Sequence, residues 1–421
     1  MLKYSRPIVN LSLRGITLGC RFLLIIFLAK LLSPEQVGLF GLVSATIVMG
    51  QLLIGGEYYT YSQRELISKD RIYWSFVLQH QLLALALLYL VLSPILLGVF
   101  HFGVLPFSLI GWFFCILISE SVAQELNRVM IAMQCQLTAS CILFFRHGLW
   151  VLFVLPVMWI DPESRSLDLI FTAWFVGCSA AICLGLMFIK KEVGLWKIWP
   201  VDTRWIKKGF RVSLLYLAGA ICFRAFFTID RFAVENLLGL DFLGAYVVYI
   251  GLAMALVTVL DPLIFAFSYP KLIGLVRDKR YLEFNITVLN MLKSVILIGL
   301  SCVGIVVLMA PFVFEWINKP LYITNLPVLW VLLAVAMSYG LSMVPHFGLY
   351  ALGHDKTILI IHLLSLILFL VSLIILPYLV PLRQVVGGSL LAGFCCIGML
   401  KFWFFARHNR EFGKVSNVIV L

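Results

Sequence analysis

Five cations and five acids stand inside stretches that are otherwise apolar: Arg21, Arg146, Arg224, Arg231 and Lys293 against Glu57, Glu120, Glu125, Asp230 and Asp261. A charge at the centre of a bilayer costs about 2.5–3.5 kcal/mol on insertion scales, so each of these groups calls for water, a partner or a ligand. Arginine presents a planar fork of donors that matches phosphate oxygens two at a time, and lysine a point charge. Those five cations are therefore candidates to hold an anionic substrate. The acids suit a different task. Asp261 precedes Pro262, whose missing N–H frees backbone groups and permits a bend. A carboxylate there carries a proton or binds sodium, or it serves as counter-ion to an arginine. Asp230 and Glu120 are further candidates for ion or proton coupling. Glu120, Gln124, Asn127 and Arg128 make one half of their helix polar, which places that half beside water.

The stretch that organises these groups runs from Trp205 to Gly244. On a helix, Ser213, Arg224, Thr228, Arg231 and Glu235 share one face. Arg231 has Glu235 one turn on as a partner, whereas Arg224 has no acid at i±4. Arg14, Thr17 and Arg21 form a similar face near the start of the chain. The plainer alternative is that these cations snorkel or pair and merely hold helices together, which applies more directly to Lys293, close to the end of its span, than to Arg146, near the middle of its span beside His147. Tyr58, Tyr59 and Tyr61 are either interfacial anchors or a platform for stacking sugars.

The chain has 421 residues, 62% hydrophobic and 12% charged, against roughly 25% charged in soluble domains. It is an all-α polytopic membrane protein. Windows of about 20 apolar residues give twelve spans: 8–31, 37–60, 75–100, 106–132, 137–160, 167–190, 209–236, 242–269, 286–313, 327–351, 357–380 and 385–406. The first follows Lys3, Arg6 and Arg14 but carries Arg21 and no small-residue cleavage site, so it reads as a retained helix rather than a signal peptide. Twenty-three Lys and Arg residues fall on one side of this arrangement, Lys401, Arg407, Arg410 and Lys414 among them. Only Lys30, Arg165, Lys319 and Arg383 fall on the other. By the positive-inside rule both termini are cytoplasmic. The net charge of +12 is thus a topology signal with affinity for anionic lipid, and no nucleic acid is implied.

Residues 191–208, rich in Lys and Trp, read as a cytoplasmic amphipathic linker between an N-terminal lobe, 1–190, and a C-terminal lobe, 209–421. A repeat supports that division. Leu31-Leu32-Ser-Pro34-Glu-Gln-Val-Gly38 reads against Leu237-Leu238-Gly239-Leu240-Asp-Phe-Leu-Gly244, and both lobes begin on the same side. The lobes are therefore related by a parallel pseudo-two-fold around a central cavity. The ten cysteines lie in apolar runs, apart from Cys135, without CxxC or histidine spacing, so neither a disulfide, a metal nor any other cofactor is expected.

The stretches FLLIIFLAKLLSPEQVGLFGL (22–42), EYYTYSQRELI (57–67), FTIDRFAVENLLGLDFLGAYVVY (227–249) and ALGHDK (351–356) resemble the polysaccharide-precursor flippases of the multidrug/oligosaccharidyl-lipid/polysaccharide exporter superfamily, the O-antigen and capsule unit translocases. The resemblance implies twelve helices in two six-helix lobes and a bacterial inner-membrane location. It also implies a substrate carried on undecaprenyl pyrophosphate and moved by alternating access, with a glycan polymerase and a chain-length regulator as partners. A pyrophosphate-linked glycan fits arginines in a lumen. No GxxxxGK[ST] occurs, so the driving force is a gradient or consumption of product.

Three other readings compete. An ion-coupled small-molecule or drug antiporter of the same superfamily shares the fold, though it favours an acidic lumen with aromatics. The other common six-plus-six transporter type has a Gly-rich basic motif after span 2, where this chain reads SQRELISKDRIYW without glycine. A membrane glycan polymerase or acyltransferase needs an outer platform that the short loops do not provide.

Overall fold

In hydrocarbon every backbone N–H and C=O must find its partner within its own segment or a closed sheet. A chain of this composition is therefore driven into helices. The computed structural model describes residues 2–194 and 196–418, with side-chain surroundings over residues 9–194 and 196–408. Among the described residues all regular structure is helical. The side chains of Lys3, Arg6, Arg410, Lys414 and Ser416 lie outside that description.

The helices that concern the site are α1 (Leu2–Leu31), α2 (Pro34–Gly55), α3 (Tyr59–Ser68), α4 (Trp74–His101), α5 (Ile110–Ala132), α6 (Gln136–Phe144), α7 (Trp150–Ile160) and α8 (Leu167–Val193). They continue with α9 (Thr203–Leu260), α10 (Ala266–Arg277), α11 (Tyr281–Ile317), α12 (Pro320–Thr324), α13 (Leu326–Ala351), α14 (Asp355–Ile375) and α15 (Leu382–Val418). Eleven helical stretches are long and apolar enough to cross a membrane. One of them, Thr203–Arg277, has 75 residues, about 110 Å of helix at 1.5 Å per residue against roughly 30 Å of hydrocarbon. It breaks at Gly239, whose φ of 80° and ψ of 173° are open to glycine alone. That break makes two spans of it and brings the number to the expected twelve.

Span 2 differs from expectation at its end. It was expected to reach residue 60, but α2 stops at Gly55 because Gly56 and Glu57 take left-handed φ of 54° and 51°. The three tyrosines consequently enter a short separate helix, and two of them are core residues. Tyr58 is fully buried and Tyr61 nearly so, packed edge-on against Trp205 and Phe210. A sugar-stacking platform is thereby excluded for Tyr58 and Tyr61. Tyr59 instead carries the Arg128 guanidinium 3.7 Å over its ring, and burial pushes its hydroxyl, and that of Tyr61, up to about 12.

The chain divides into two compact units, residues 1–32 with 39–221, and residues 33–38 with 222–421. In the first, α5 packs on α8 while α1 packs on α6. The stretch 196–202 is irregular and is held on α4 by side chains. Gln79 donates to the Trp199 carbonyl at 2.7 Å and accepts from the Trp199 N–H at 3.0 Å, and His80 Nε2 accepts the Asp202 N–H at 2.8 Å. Asp202 then caps α9 by accepting from the N–H groups of Arg204 and Trp205.

In the second unit α13, α14 and α15 form the tightest packing, with α11 against α13. The repeat read from the sequence has a physical expression here. A Cβ on Gly38 would overlap the Leu240 carbonyl oxygen, and a Cβ on Gly244 would overlap the Pro34 carbonyl oxygen. Leu240 stands as far after Pro34 as Gly244 does after Gly38, so the contact is reciprocal between corresponding positions of the two motifs, all within this unit. The third span of each unit is also its barest. Only 11% of the apolar window in Arg71–His101 and 17% of that in Tyr281–Ile317 is buried.

Candidate functional site

Each unit contains its own polar constellation next to a π turn. In the first unit the turn is Phe145–Leu149, inserted between α6 and α7. Such turns interrupt the regular ladder and are frequent at functional sites. The buried Arg146 guanidinium projects from it onto Glu120 at 2.7 Å and onto Gln124 at 2.9 Å, while its Nε is buried without a partner. The Glu120 carboxylate also accepts from Trp174 Nε1 at 3.3 Å and Cys178 Sγ at 2.8 Å. His147 Nε2 lies 3.6 Å from it. Glu120 is thus surrounded by donors, as a buried carboxylate must be. Arg21, on the exposed face of α1, lies within electrostatic range of His147. About two turns back, Arg14 donates to Ser140 at 3.0 Å, and Ser140 to Asn10. The face of α1 that carries Arg14, Thr17 and Arg21 is therefore aligned along α6 and the π turn. A second pair, Glu125 and Arg128 at 2.6 Å, is tied to Gln81.

In the second unit the π turn is Asp261–Phe265. Pro262 supplies the reason: its nitrogen donates nothing, so the ladder widens. Asp261 is exposed, and its field and that of Arg224 both reach the Tyr339 hydroxyl. Arg224 is itself exposed and forms no ion pair among the described residues. Phe223, Phe227 and Phe394 crowd the Tyr339 ring at 5.2, 6.3 and 5.4 Å. The second unit therefore offers one guanidinium, one carboxylate and one phenol beside an aromatic group.

The remaining predicted residues stand apart from that cluster. Asp230 is fully buried and accepts from the Tyr246 hydroxyl at 2.6 Å and from the Arg231 N–H at 2.7 Å. Arg231 donates to the Phe227 carbonyl at 3.3 Å instead of pairing with Glu235. Lys293 lies on the exposed face of α11, in a shallow recess with Ile296, Leu297, Leu300 and Ser301. Lys401 requires a correction. It was counted with the loop cations near the C-terminus, but α15 continues past it and buries it to 1% exposure. Tyr339, Tyr246 and the histidines of α13 and α14 were not singled out. A lone imidazole inside runs such as ILIIHLLSL was the available signal for the histidines.

No protein-family signature matches the chain, and no curated protein does. Solved structures match over nearly its whole length. It is similar to an inward-facing multidrug resistance MATE family transporter of the MOP superfamily, with a TM-score of 0.65 and 14% identity over 97% of this chain and 99% of that one. A MATE transporter in complex with MaD3S gives 0.67 at 13% identity, over 97% and 96% of the two chains. A MATE transporter in its bent conformation gives 0.63 at 14% identity, over 96% and 94%. The fold is the two-lobed, all-helical MATE transporter fold.

Proposed function

We propose that this chain is a gradient-driven exporter that works by alternating access, and that its substrate is a small organic molecule exchanged for an ion. The observation that carries this reading is the whole-chain likeness of the fold to multidrug transporters. The aromatic group around Tyr339, with Asp261 beside it, supports it as a site for an apolar or cationic solute. Asp261, at its π turn, is the proposed ion or proton carrier, while Glu120 and Asp230 are engaged by Arg146 and Tyr246. The test is reconstitution in liposomes with a fluorescent cationic drug and an imposed proton or sodium gradient. Uptake that collapses with the gradient supports the reading. Gradient-independent leakage equal to that of empty liposomes overturns it.

One observation favours a second reading, the translocation of an undecaprenyl-pyrophosphate-linked oligosaccharide. Arg224 has no acid paired with it among the described residues, and a guanidinium so placed in a membrane protein suits a phosphate. Arg21, on the exposed face of α1, is a further proposed contact, and Arg146, Arg231 and Lys293 complete the proposed set with their present partners exchanged. This reading includes an inner-membrane location, cytoplasmic termini, lobes at 1–190 and 209–421 joined by a linker at 191–208, and a polymerase and chain-length regulator as partners. Competition decides between the two. Inhibition of drug efflux by the pyrophosphate lipid, with transport of that lipid itself, selects the second.

A further inference from the structure

The buried stripe of α15 runs Leu390, Phe394, Ile397, Lys401, Phe405, at the 3–4 residue spacing of a core-facing helix. Four of the five positions are apolar and the remaining one is a lysine at 1% exposure. Burying an ammonium without a compensating charge is costly, yet Lys401 forms no ion pair and no hydrogen bond to a described residue. The elements packed on α15 are α13, α14 and α11, with Phe226 and Phe227 of α9 against Phe394. From α13 comes His346, within electrostatic range of Lys401 and His362, with its Nδ1 buried and unbonded. From α14 comes His362, whose ring lies parallel to that of His346 at 6.0 Å between centroids. One turn further along the same buried face, the Ser365 hydroxyl has no partner.

The only acid among the described side chains of these three helices is Asp355, at the start of α14, and no ion pair joins it to Lys401. The other cations on them, Lys356, Arg383 and Arg407, are exposed. On α11, Glu283 is engaged by Arg280, while Lys293 and Glu315 are exposed. On α9, Asp230 is engaged by Tyr246 and Arg231, and Asp241 is exposed. Lys401 and the unbonded His346 Nδ1 thus have no ion pair among the described residues. In native proteins, buried polar atoms left unsatisfied call for a water, an ion or a special role.

We propose that Lys401 and His346, with the Ser365 hydroxyl, form a binding site for a small monovalent anion of the halide class inside the second unit. One ammonium balances one negative charge. The apolar neighbours select a weakly hydrated ion, since sulfate or phosphate would bring charge that nothing there neutralises. The ion ties α15 to α13 and α14, so its role is to fix the packing of that three-helix group. The site is independent of which substrate the protein exports.

The experiment is thermal unfolding of the purified protein in detergent, in sodium bromide or chloride against sodium gluconate at constant ionic strength. A ligand that binds only the folded state raises the midpoint with the logarithm of its concentration. The wild type is expected to show this halide dependence, and Lys271→Met, at an exposed position of α10, to keep it. Lys401→Met continues the apolar stripe, so it is expected to fold in gluconate. It should lose apparent halide affinity by about tenfold or more, the equivalent of one charge-assisted hydrogen bond. His346→Phe supplies the same test from α13. Anomalous scattering from bromide-soaked wild-type crystals, with a peak beside Lys401, reads the site without any variant. Halide-independent stability of the wild type, an unchanged response in both variants, or water alone at that position would each overturn the proposal.

Discussion

Replacing Gly244 by alanine puts one methyl group against the backbone of the α1–α2 connection. The added Cβ would lie 2.8 Å from the Pro34 carbonyl carbon and 3.0 Å from its Cα, and would overlap the carbonyl oxygen. No side chain can rotate out of the way, because the obstruction is backbone. Residues 33–38 must therefore shift as a unit. Two effects oppose each other. Alanine is favoured over glycine within a helix by about 0.5–1 kcal/mol, whereas overpacking a tight contact costs about 1–3 kcal/mol. The net expectation is a loss of about 1–2 kcal/mol and a midpoint lower by roughly a few degrees. Gly38→Ala should behave alike, since its Cβ would overlap the Leu240 carbonyl oxygen and lie 3.2 Å from the Gly244 nitrogen. The double variant should lose less than the sum, because one displacement relieves both overlaps. Gly304→Ala in α11 is the control. Nothing lies within 4 Å of its added Cβ, so only the helix-propensity gain remains and the midpoint should hold or rise. The assay is thermal unfolding in detergent followed by monomer recovery on size exclusion. Equal midpoints for Gly244→Ala and Gly304→Ala would refute the reciprocal contact.

Three further outcomes are expected. Glu120→Gln leaves the Arg146 guanidinium buried without its counter-charge and should cost about 3–5 kcal/mol, while Glu120→Gln with Arg146→Met should recover most of it. A double variant as unstable as the single one would mean the pair is not coupled. If the substrate is the pyrophosphate-linked glycan, Arg224→Ala should abolish its export while the protein still accumulates in the membrane, and Arg224→Lys should restore only part of it because a point charge cannot fork. Full transport by Arg224→Ala would remove that residue from the substrate path. Finally, on a Cys-less background an impermeant thiol reagent added outside should label Ser164→Cys and spare Ser416→Cys. The reverse pattern would invert the proposed orientation.

The twelve spans and the repeat were legible because both are one-dimensional signals: a run of about 20 apolar residues and a short motif recurring in register. The partners of the charges were not. Arg146 and Glu120 lie in different spans, as do Lys401 and His346, and no spacing in the chain relates them. Lys401 also shows how a correct rule fails locally. Counting loop cations treats a lysine near the end of an apolar run as exposed, and here α15 continues through it.

The sequence by itself determined an all-helical membrane protein, the interruption between the spans 209–236 and 242–269, and the bend that the proline after Asp261 permits. Each of these follows from covalent geometry or from the solvent that a segment tolerates, and both act on neighbours in the chain. Only the tertiary structure decided that Tyr58 is core, that Arg231 bonds a carbonyl instead of Glu235, that Gly38 and Gly244 meet face to face, and that Lys401 is enclosed with two histidines. Those outcomes depend on which helix faces pack together. Many apolar faces pack about equally well by composition, so the choice among them is made by shape and by the whole set of helices at once.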